Sequence, residues 1–116
     1  MINKESTRYF SNNHELSICN ALGGRQTLNS GANKFEKGDI IIDNVSMLIE
    51  AKCSMSKKRS VSIKEDWILK NKEEAFRNRL QNTAICFNFE PNGDNYYIID
   101  EKLMRYLINV LRTADN

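Results

Sequence analysis

Residues Lys37–Lys52 read KGDIIIDNVSMLIEAK, in which two apolar runs flank a polar break. Short β-branched and aliphatic runs separated by turn residues are typical of a β-hairpin. If the hairpin is symmetric about the Asn44–Val45 bond, Asp39 lies directly opposite Glu50. Val45 is a poor residue for a two-residue turn, which needs a positive φ, so this symmetry favours a longer loop.

The predicted register places three charged side chains on one face of the hairpin. Directly opposed residues project to the same face, and so do residues two apart on one strand. Asp39, Glu50 and Lys52 therefore converge at the outer end, with Ile41 and Leu48 just below them. The opposite face carries Ile40, Ile42, Met47, Ile49 and Ala51. A slip of one residue would turn Glu50 to that opposite face and remove the cluster.

This cluster has the composition of a metal site. Two hard oxygen donors at cross-strand distance form half a coordination shell for Mg²⁺, which keeps waters and substrate phosphate for the rest. A nearby lysine can offset the negative charge on an attacked phosphate or orient the water. By itself, a Glu-x-Lys pattern is commonly a solvated pair on an exposed strand. The opposed Asp39, beside an Ile-Ile-Ile run, favours the metal site over that simpler interpretation.

The whole chain has the length and composition of one globular domain, residues 1–116. Its net charge is +2, but nine Lys or Arg stand against four Asp or Glu between Lys52 and Arg79. The three cysteines are far apart and lack metal-site spacing, which favours a reducing cytosol. No apolar run is long enough to span a bilayer, and the N-terminus lacks a signal-peptide pattern.

A helix is predicted before the hairpin. It runs to about Leu22 from a cap at Ser11 or Asn12, and Gly23–Gly24 ends it. Its inward stripe consists of Glu15, Ile18, Cys19 and Leu22. The stripe therefore includes a carboxylate, which either faces the interior or reaches solvent at the edge of the stripe.

Two segments around the hairpin have the composition of nucleic-acid contacts. The loop of residues 25–37 contains Ser30 and Gly31, and small polar residues let a backbone approach a phosphate closely. Lys57, Lys58 and Arg59 follow the hairpin, at the edge of the proposed metal site. Each segment also has a simpler interpretation, a plain loop in the first case and a solvated charge run in the second.

The second half of the chain predicts a helix, two strands and a final helix. Ser62 and Glu65 form a capping box, so a helix runs from Ile63 to about Leu80 and exposes Lys64. The inner stripe of that helix comprises Trp67, Ile68, Lys72, Ala75, Phe76 and Leu80. Strands follow at residues 83–89 and 96–99, joined by a turn.

Asp100 is expected to cap a last helix, which extends from Glu101 to about Arg112. Its apolar stripe is Leu103, Leu107, Val110 and Leu111, which we expect to cover the sheet, with any excess available for a dimer contact. The element order is thus α-β-β-α-β-β-α, an α/β fold with a mixed central sheet flanked by helices. For Glu15 to reach Asp39, the first helix must pack on the face that bears Ile41 and Leu48.

With these residues in place, the chain resembles the PD-(D/E)xK nuclease superfamily and, within it, the Hjc-like Holliday junction resolvases of archaea and phages. The similarity runs from His14 to Ala75. It comprises a helical Glu in HELSICNALGGR, an SGA loop, GD followed by IIID, IEAK, and a Trp-containing helix with a downstream EEA. The resemblance implies a restriction-endonuclease-like core. Two departures stand out, Gly38 in place of a common proline and a thin basic N-terminal arm.

The resemblance also implies a role for each matching residue. Metal would be held by Glu15, Asp39 and Glu50, to which the leading hypothesis adds the Ala51 carbonyl, with Mg²⁺ the expected ion and Mn²⁺ a substitute. Lys52 would assist the attacking water, which makes the catalytic set Glu15, Asp39, Glu50 and Lys52. DNA contacts would come from Arg25 and Ser30 by the resemblance, and from Gly31, Lys57, Lys58, Arg59 and Lys64 by their place in the polar loop and the basic stretch around the hairpin.

The leading functional hypothesis is a Mg²⁺-dependent endonuclease that cuts branched DNA, with four-way junctions first. Such a junction is nearly two-fold symmetric and needs paired nicks, so a homodimer is expected. The enzyme would be cytoplasmic, in a bacterial host or phage-encoded. One alternative keeps the active site but cuts or nicks linear duplex or flaps. Another is a non-catalytic DNA-binding or assembly module in which Glu50 and Lys52 are a structural pair.

Overall fold

The computed structural model describes residues 4–27 and 39–114. Within these residues the chain forms three α-helices and a five-stranded mixed sheet, which confirms the α/β class. The helices are α1 (Lys4–Leu22), α2 (Glu65–Arg77) and α3 (Glu101–Ala114). The strands are β1 (Arg25–Gln26), β2 (Asp39–Ile42), β3 (Met47–Lys52), β4 (Asn82–Phe87) and β5 (Tyr96–Ile98).

The five described strands lie in the sheet in chain order, with β3 at the centre. β3 and β4 are parallel, and the other neighbours are antiparallel. The predicted order α-β-β-α-β-β-α is wrong because β1 adds a strand before the hairpin. β1 pairs with Ile41 and Ile40, and two residues are too few to leave an alternating pattern in the sequence. Gly24 permits the pairing, because a Cβ there would lie 2.7 Å from Ile40 Cγ2.

The β2–β3 hairpin has the predicted register. The facing pairs are Asp39 with Glu50, Ile40 with Ile49, Ile41 with Leu48 and Ile42 with Met47. A 3₁₀ turn over Asp43–Val45 connects the strands, and Ser46 follows it in the left-handed region at φ 53°. The connection is longer than a two-residue turn, as expected, and it places the positive φ on Ser46 rather than on Val45.

α1 and α2 cover opposite faces of the sheet. Ile18 of α1 packs in one core with Ile40, Ile42, Ile49, Ala84 and Cys86. Ala75 of α2 packs in the other with Ile41 and Leu48. The prediction that the first helix covers the face of Ile41 and Leu48 is therefore wrong. A parallel β3–α2–β4 connection has one preferred hand, which gives that face to α2 and leaves the other to α1.

α1 starts earlier than the expected cap and ends where predicted. It begins at Lys4 and stops at Gly23, whose φ is +75°. Of the predicted inward stripe, Ile18 is fully buried and Glu15 is 9% exposed, but Leu22 is 41% exposed. The last turn of α1 thus extends beyond the core that the stripe was expected to cover.

α2 begins at Glu65, and Lys64 precedes it in an extended conformation without a side-chain capping bond. The predicted capping box at Ser62 is therefore wrong. The inner stripe also differs, because Phe76 is 84% exposed while Asn71, Glu74 and Ala75 are buried. Asn71 tolerates burial since its side-chain amide donates to the Ala84 carbonyl at 3.0 Å.

α3 has the predicted start but not the predicted packing. The backbone N–H of Leu103 donates to Asp100 Oδ1 at 2.9 Å, which confirms the cap. No residue of α3 is buried, so the expectation that its apolar stripe covers the sheet is wrong. Its exposed large apolar residues are Met104, Tyr106, Leu107, Ile108, Val110 and Leu111. No helix within residues 4–27 and 39–114 is both long and apolar enough to cross a membrane.

Candidate functional site

Asp39 and Glu50 face each other at the end of the sheet where β2 begins and β3 ends. Both are almost completely buried, with 1% and 5% of their surfaces exposed. The register brings them together because the isoleucine run of β2 and the apolar run of β3 fill both cores. Burial of two facing carboxylates is costly unless a cation or hydrogen-bond donors compensate their charge. This end of the sheet is therefore suited to positive charge.

Lys52 supplies one such charge. Its Nζ lies 3.3 Å from Glu50 Oε2 and 4.7 Å from the centroid of the Trp67 ring. The lysine side chain remains 34% exposed, so solvent reaches part of it. The structure thus brings Asp39, Glu50 and Lys52 together as the sequence predicts.

Trp67 contributes to the site, which its predicted place in the inner stripe of α2 did not indicate. Its ring is half-buried and lies under the Lys52 ammonium. A signal was present in the sequence, because a β–α–β crossover brings the first turn of the helix back near the end of the preceding strand. A lysine ending the strand and an aromatic residue starting the helix are then neighbours.

Glu15 lies on the other face of the sheet. Its Oε1 accepts a hydrogen bond from Gln26 Nε2 at 3.0 Å, and Gln26 pairs with Ile40, which belongs to the core under α1. Within residues 4–27 and 39–114, no three His, Cys, Asp or Glu side chains form a group that could hold one metal ion. The position of Glu15 follows from the packing of α1, which the sequence analysis assigned to the wrong face.

The Asp39–Glu50 pair nevertheless fits a magnesium ion. Mg²⁺ is commonly bound by one or two carboxylates and fills the remaining positions with waters and substrate phosphate. Two facing carboxylates at the sheet end meet that requirement. Ala51 lies between Glu50 and Lys52 on β3 and is half-buried. The role of its carbonyl as a metal ligand stays a prediction.

Arg25 lies away from the carboxylate pair. Its Nε donates to Asp43 Oδ2 at 2.8 Å and its Nη2 donates to Asp43 Oδ1 at 3.2 Å. The guanidinium holds the pKa of the Asp43 carboxyl below its usual value. Asp43 follows β2, at the hairpin turn and therefore at the opposite end of the strand from Asp39. The structure does not bring Arg25 to the carboxylates.

Ser30 and Gly31 lie outside the described residues. The chain on either side of that segment is fixed, however. Both the backbone N–H and the hydroxyl of Thr27 donate to the Asp39 carbonyl, at 3.1 and 3.2 Å. The described residues on either side of Ser30 and Gly31, Thr27 and Asp39, are therefore bonded directly to each other.

The basic segment Lys57–Arg59 is held against the end of β4. Ser54 donates to Asn88 twice, from its backbone N–H to Oδ1 and from its hydroxyl to the carbonyl, both at 2.8 Å and both buried. The backbone N–H of Lys58 donates to the Phe89 carbonyl at 2.7 Å. Lys57, Lys58, Arg59 and Lys64 are all exposed. Because this segment continues from Lys52, its charges lie at the carboxylate end of the sheet.

A second buried polar cluster lies on the α1 face of the sheet. His14 Nε2 is 3.5 Å from Cys86 Sγ, and both residues are buried. Burial lowers the pKa of His14 and raises the pKa of Cys86 to about 12. At neutral pH this cluster therefore contains a neutral imidazole and a protonated thiol, which suits packing rather than catalysis.

No family model, no curated protein and no solved structure matches the chain. The chemistry that the site could perform is therefore inferred from its own residues. Two buried acids that face each other, with a lysine beside them and exposed cations nearby, can bind a divalent cation next to an anionic polymer.

Proposed function

We propose that the chain is a metal-dependent DNA endonuclease with a restriction-endonuclease-like core, which acts first on four-way junctions. The observation that carries the proposal is the buried, facing pair Asp39 and Glu50 with Lys52 Nζ at 3.3 Å from Glu50. These residue types on adjacent strands match the pattern of the PD-(D/E)xK superfamily that the sequence resembles. The free cysteines of the described chain are compatible with the proposed cytoplasmic location.

Asp39 and Glu50 would hold Mg²⁺, for which Mn²⁺ would substitute. The Ala51 carbonyl is a further proposed ligand, whereas Glu15 lies on the other face of the sheet and is left out of the set. Bound there, the cation would polarise the scissile phosphate and lower the pKa of the attacking water. The protein contributes a fixed pair of acids, since the strand register holds both in place before substrate arrives.

Lys52 would act on the water or the phosphate. An ammonium carries three N–H donors, and this one is held between the Glu50 carboxylate and the Trp67 ring. Contact with both partners restricts the side chain, so less entropy is lost when it donates to substrate. A donor in that position would stabilise the negative charge that develops on the phosphate oxygens.

The exposed cations would bind the DNA backbone. Lys57, Lys58, Arg59 and Lys64 lie at the carboxylate end and are accessible. Contacts to phosphate position a protein on DNA without reading its sequence. This arrangement supports an enzyme that recognises the shape of a substrate, as a junction-cutting enzyme must.

A second copy of the chain is the proposed protein partner, because paired nicks need two active sites. The α3 patch, which comprises Phe76, Met104, Tyr106, Leu107, Ile108, Val110 and Leu111, is exposed in a single chain. A standard interface buries about 800 Å² per partner, and seven large apolar side chains supply area of that order. Leu103 and Leu111 are equally distant in sequence from Leu107, so two copies of α3 can pair antiparallel about a two-fold axis.

Cleavage of a labelled four-way junction, compared with its linear duplex arms and a flap, tests the proposed function. With Mg²⁺ the protein is expected to nick the junction in preference to the other substrates. Asp39→Asn and Glu50→Gln should each lower the rate at least about 100-fold, because each removes a negative charge from the cation site. Lys52→Met should lower it about 100-fold as well.

Asp43→Asn is the matched control for Asp39→Asn. It makes the same chemical change on the same hairpin, but Asp43 is exposed and paired with Arg25. It should keep the wild-type rate. Mg²⁺ should also raise the Tm of the wild type and not that of Asp39→Asn, since only a site that binds the folded state stabilises it. A protein that cuts none of the substrates and gains no Tm from Mg²⁺ or Mn²⁺ would instead be a non-catalytic module.

A further inference from the structure

A row of side chains crosses the sheet next to the carboxylates. Lys52 of β3 pairs with Phe87 of β4, and Phe87 pairs with Tyr96 of β5. Paired residues project to the same face, and Lys52 lies two residues beyond Glu50 on one strand. Phe87 and Tyr96 therefore lie on the same face of the sheet as Asp39 and Glu50, directly beside the proposed catalytic lysine.

Three aromatic rings form a cluster at this position. The centroids of Phe87 and Phe89 are 5.5 Å apart, those of Phe87 and Tyr96 are 5.8 Å apart, and those of Phe89 and Tyr96 are 5.6 Å apart. Phe87 and Phe89 are half-buried, whereas Tyr96 is 49% exposed. The two phenylalanines pack against the tyrosine, which stays half-exposed to solvent.

Basic residues neighbour this aromatic cluster. The backbone N–H of Lys58 bonds the Phe89 carbonyl at 2.7 Å, which places the basic segment alongside the rings. The carboxylate of Glu90 lies close by, but Lys57 Nζ is 3.5 Å from its Oε1 and offsets its charge. An exposed aromatic ring bordered by lysines matches a ligand with a flat apolar face and anionic links, which describes a nucleotide in a single strand.

We propose that the cluster of Phe87, Phe89 and Tyr96 is a stacking subsite for an unpaired nucleobase beside the scissile phosphate. This inference rests on the proposed nuclease function. A base inside a duplex already stacks on its neighbours, so the subsite takes only a base that has left the helix. The favoured substrates are then DNAs in which a base leaves the helix at low cost, as at the branch point of a four-way junction where stacking is interrupted, rather than uninterrupted duplex.

Binding measured without divalent cation tests the subsite separately from cleavage. The probes are a short fluorescent oligothymidylate and a duplex of equal length, each titrated with protein and followed by anisotropy. Tyr96→Leu keeps an apolar side chain against the two phenylalanines but removes the ring. It is expected to weaken oligothymidylate binding about 5- to 100-fold, the range for loss of one base–aromatic stack, and to leave duplex binding within about two-fold.

Two variants serve as controls. Tyr96→Phe keeps the ring and should bind both probes as the wild type does. Tyr9→Ala removes a tyrosine that is 60% exposed on α1, the helix that covers the opposite face of the sheet, and should change neither affinity. Equal Tm values for Tyr96→Leu and Tyr96→Phe would show that both variants are folded. If Tyr96→Leu instead lowers the Tm and leaves the ratio of oligothymidylate to duplex affinity unchanged, the cluster serves packing alone.

The outcomes separate the two proposals. If the junction is cut but Tyr96→Leu binds both probes equally well or loses both equally, the stacking subsite is wrong and the nuclease stands. If no substrate is cut but Tyr96→Leu selectively loses the single strand, the subsite stands as part of a binding protein and the nuclease proposal fails.

Discussion

The β2–β3 hairpin and the α3 helix are both rich in apolar residues, but they end in opposite environments. Ile40 and Ile49 of the hairpin are 0% exposed, whereas Tyr106 and Leu111 of α3 are 64% and 67% exposed. The hairpin is covered on its two faces by α1 and α2 of the same chain. The difference shows that an apolar stripe in the sequence does not by itself tell whether the rest of the chain covers it.

The largest contrast is expected from truncation of one residue in each region. Ile49→Ala should lower the free energy of unfolding by about 2–5 kcal/mol, because it opens a cavity in a closed core. Leu111→Ala should change it by no more than about 0.5 kcal/mol at protein concentrations where the chain is monomeric. Urea denaturation of both variants measures the difference. Equal losses of unfolding free energy in the two variants would contradict it.

A second test concerns how closely the chain approaches the hairpin. A Cβ at residue 24 would lie 2.7 Å from Ile40 Cγ2 and 3.2 Å from the Ile41 carbonyl oxygen. Because Ile40 is fully buried and cannot retreat, Gly24→Ala should destabilise the fold by about 1–3 kcal/mol. Gly23→Asn is the control, since nothing lies within 4 Å of a Cβ there and Asn tolerates the positive φ. A smaller loss for Gly24→Ala than for Gly23→Asn would contradict this packing.

A third test uses the pH dependence of the free energy of unfolding, to which His14 of α1 is expected to contribute. Burial lowers the pKa of His14 from its ordinary value of 6.5, and the Asn95 side chain only partly offsets this. Below pH 6.5 the unfolded chain therefore binds a proton that folded His14 does not. The stability that comes from burying the neutral His14 imidazole is complete above pH 6.5. It falls as the pH drops towards 5, with a slope of at most about 1.4 kcal/mol per pH unit.

His14 is the only histidine of the chain, so His14→Gln should remove that slope between pH 6.5 and 5. Denaturation curves at several pH values for both proteins provide the measurement. A slope that persists unchanged in the variant would assign the pH dependence to carboxylates instead.

The smallest expected effect on monomer stability comes from α3. It tests most directly whether the apolar side chains of α3 serve an interface rather than the fold. Leu107→Gln combined with Leu111→Gln should change the free energy of unfolding of a dilute sample by less than about 1 kcal/mol, since both side chains are already 41% and 67% exposed. The same double variant should abolish the dimer in sedimentation velocity at micromolar concentration. A wild type that stays monomeric up to 100-fold higher concentration would remove the proposed role of the α3 patch.

The sequence could predict the features that depend on strand periodicity. The Asp39–Glu50 pairing follows from two apolar runs placed symmetrically about a polar break, and alternation then fixes Lys52 on the same face. These three residues are the part of the candidate site for which sequence and structure agree.

Features that depend on how elements pack could not be predicted in the same way. The face chosen by α1, and with it the position of Glu15, follows from the hand of the β3–α2–β4 crossover. Trp67 reaches Lys52 because α2 starts at Glu65, which no capping residue marks. The exposure of Phe76 and the burial of Glu74 run against the polarity of both residues.

The two hydrogen bonds from Thr27 to the Asp39 carbonyl tie the chain together on either side of residues 28–38. The main chain of Asp39 is thus held from two sides, by Thr27 and by the β3 strand that carries Glu50. The Asp39 side chain therefore projects from a backbone with little freedom to move, which keeps the two carboxylates facing each other.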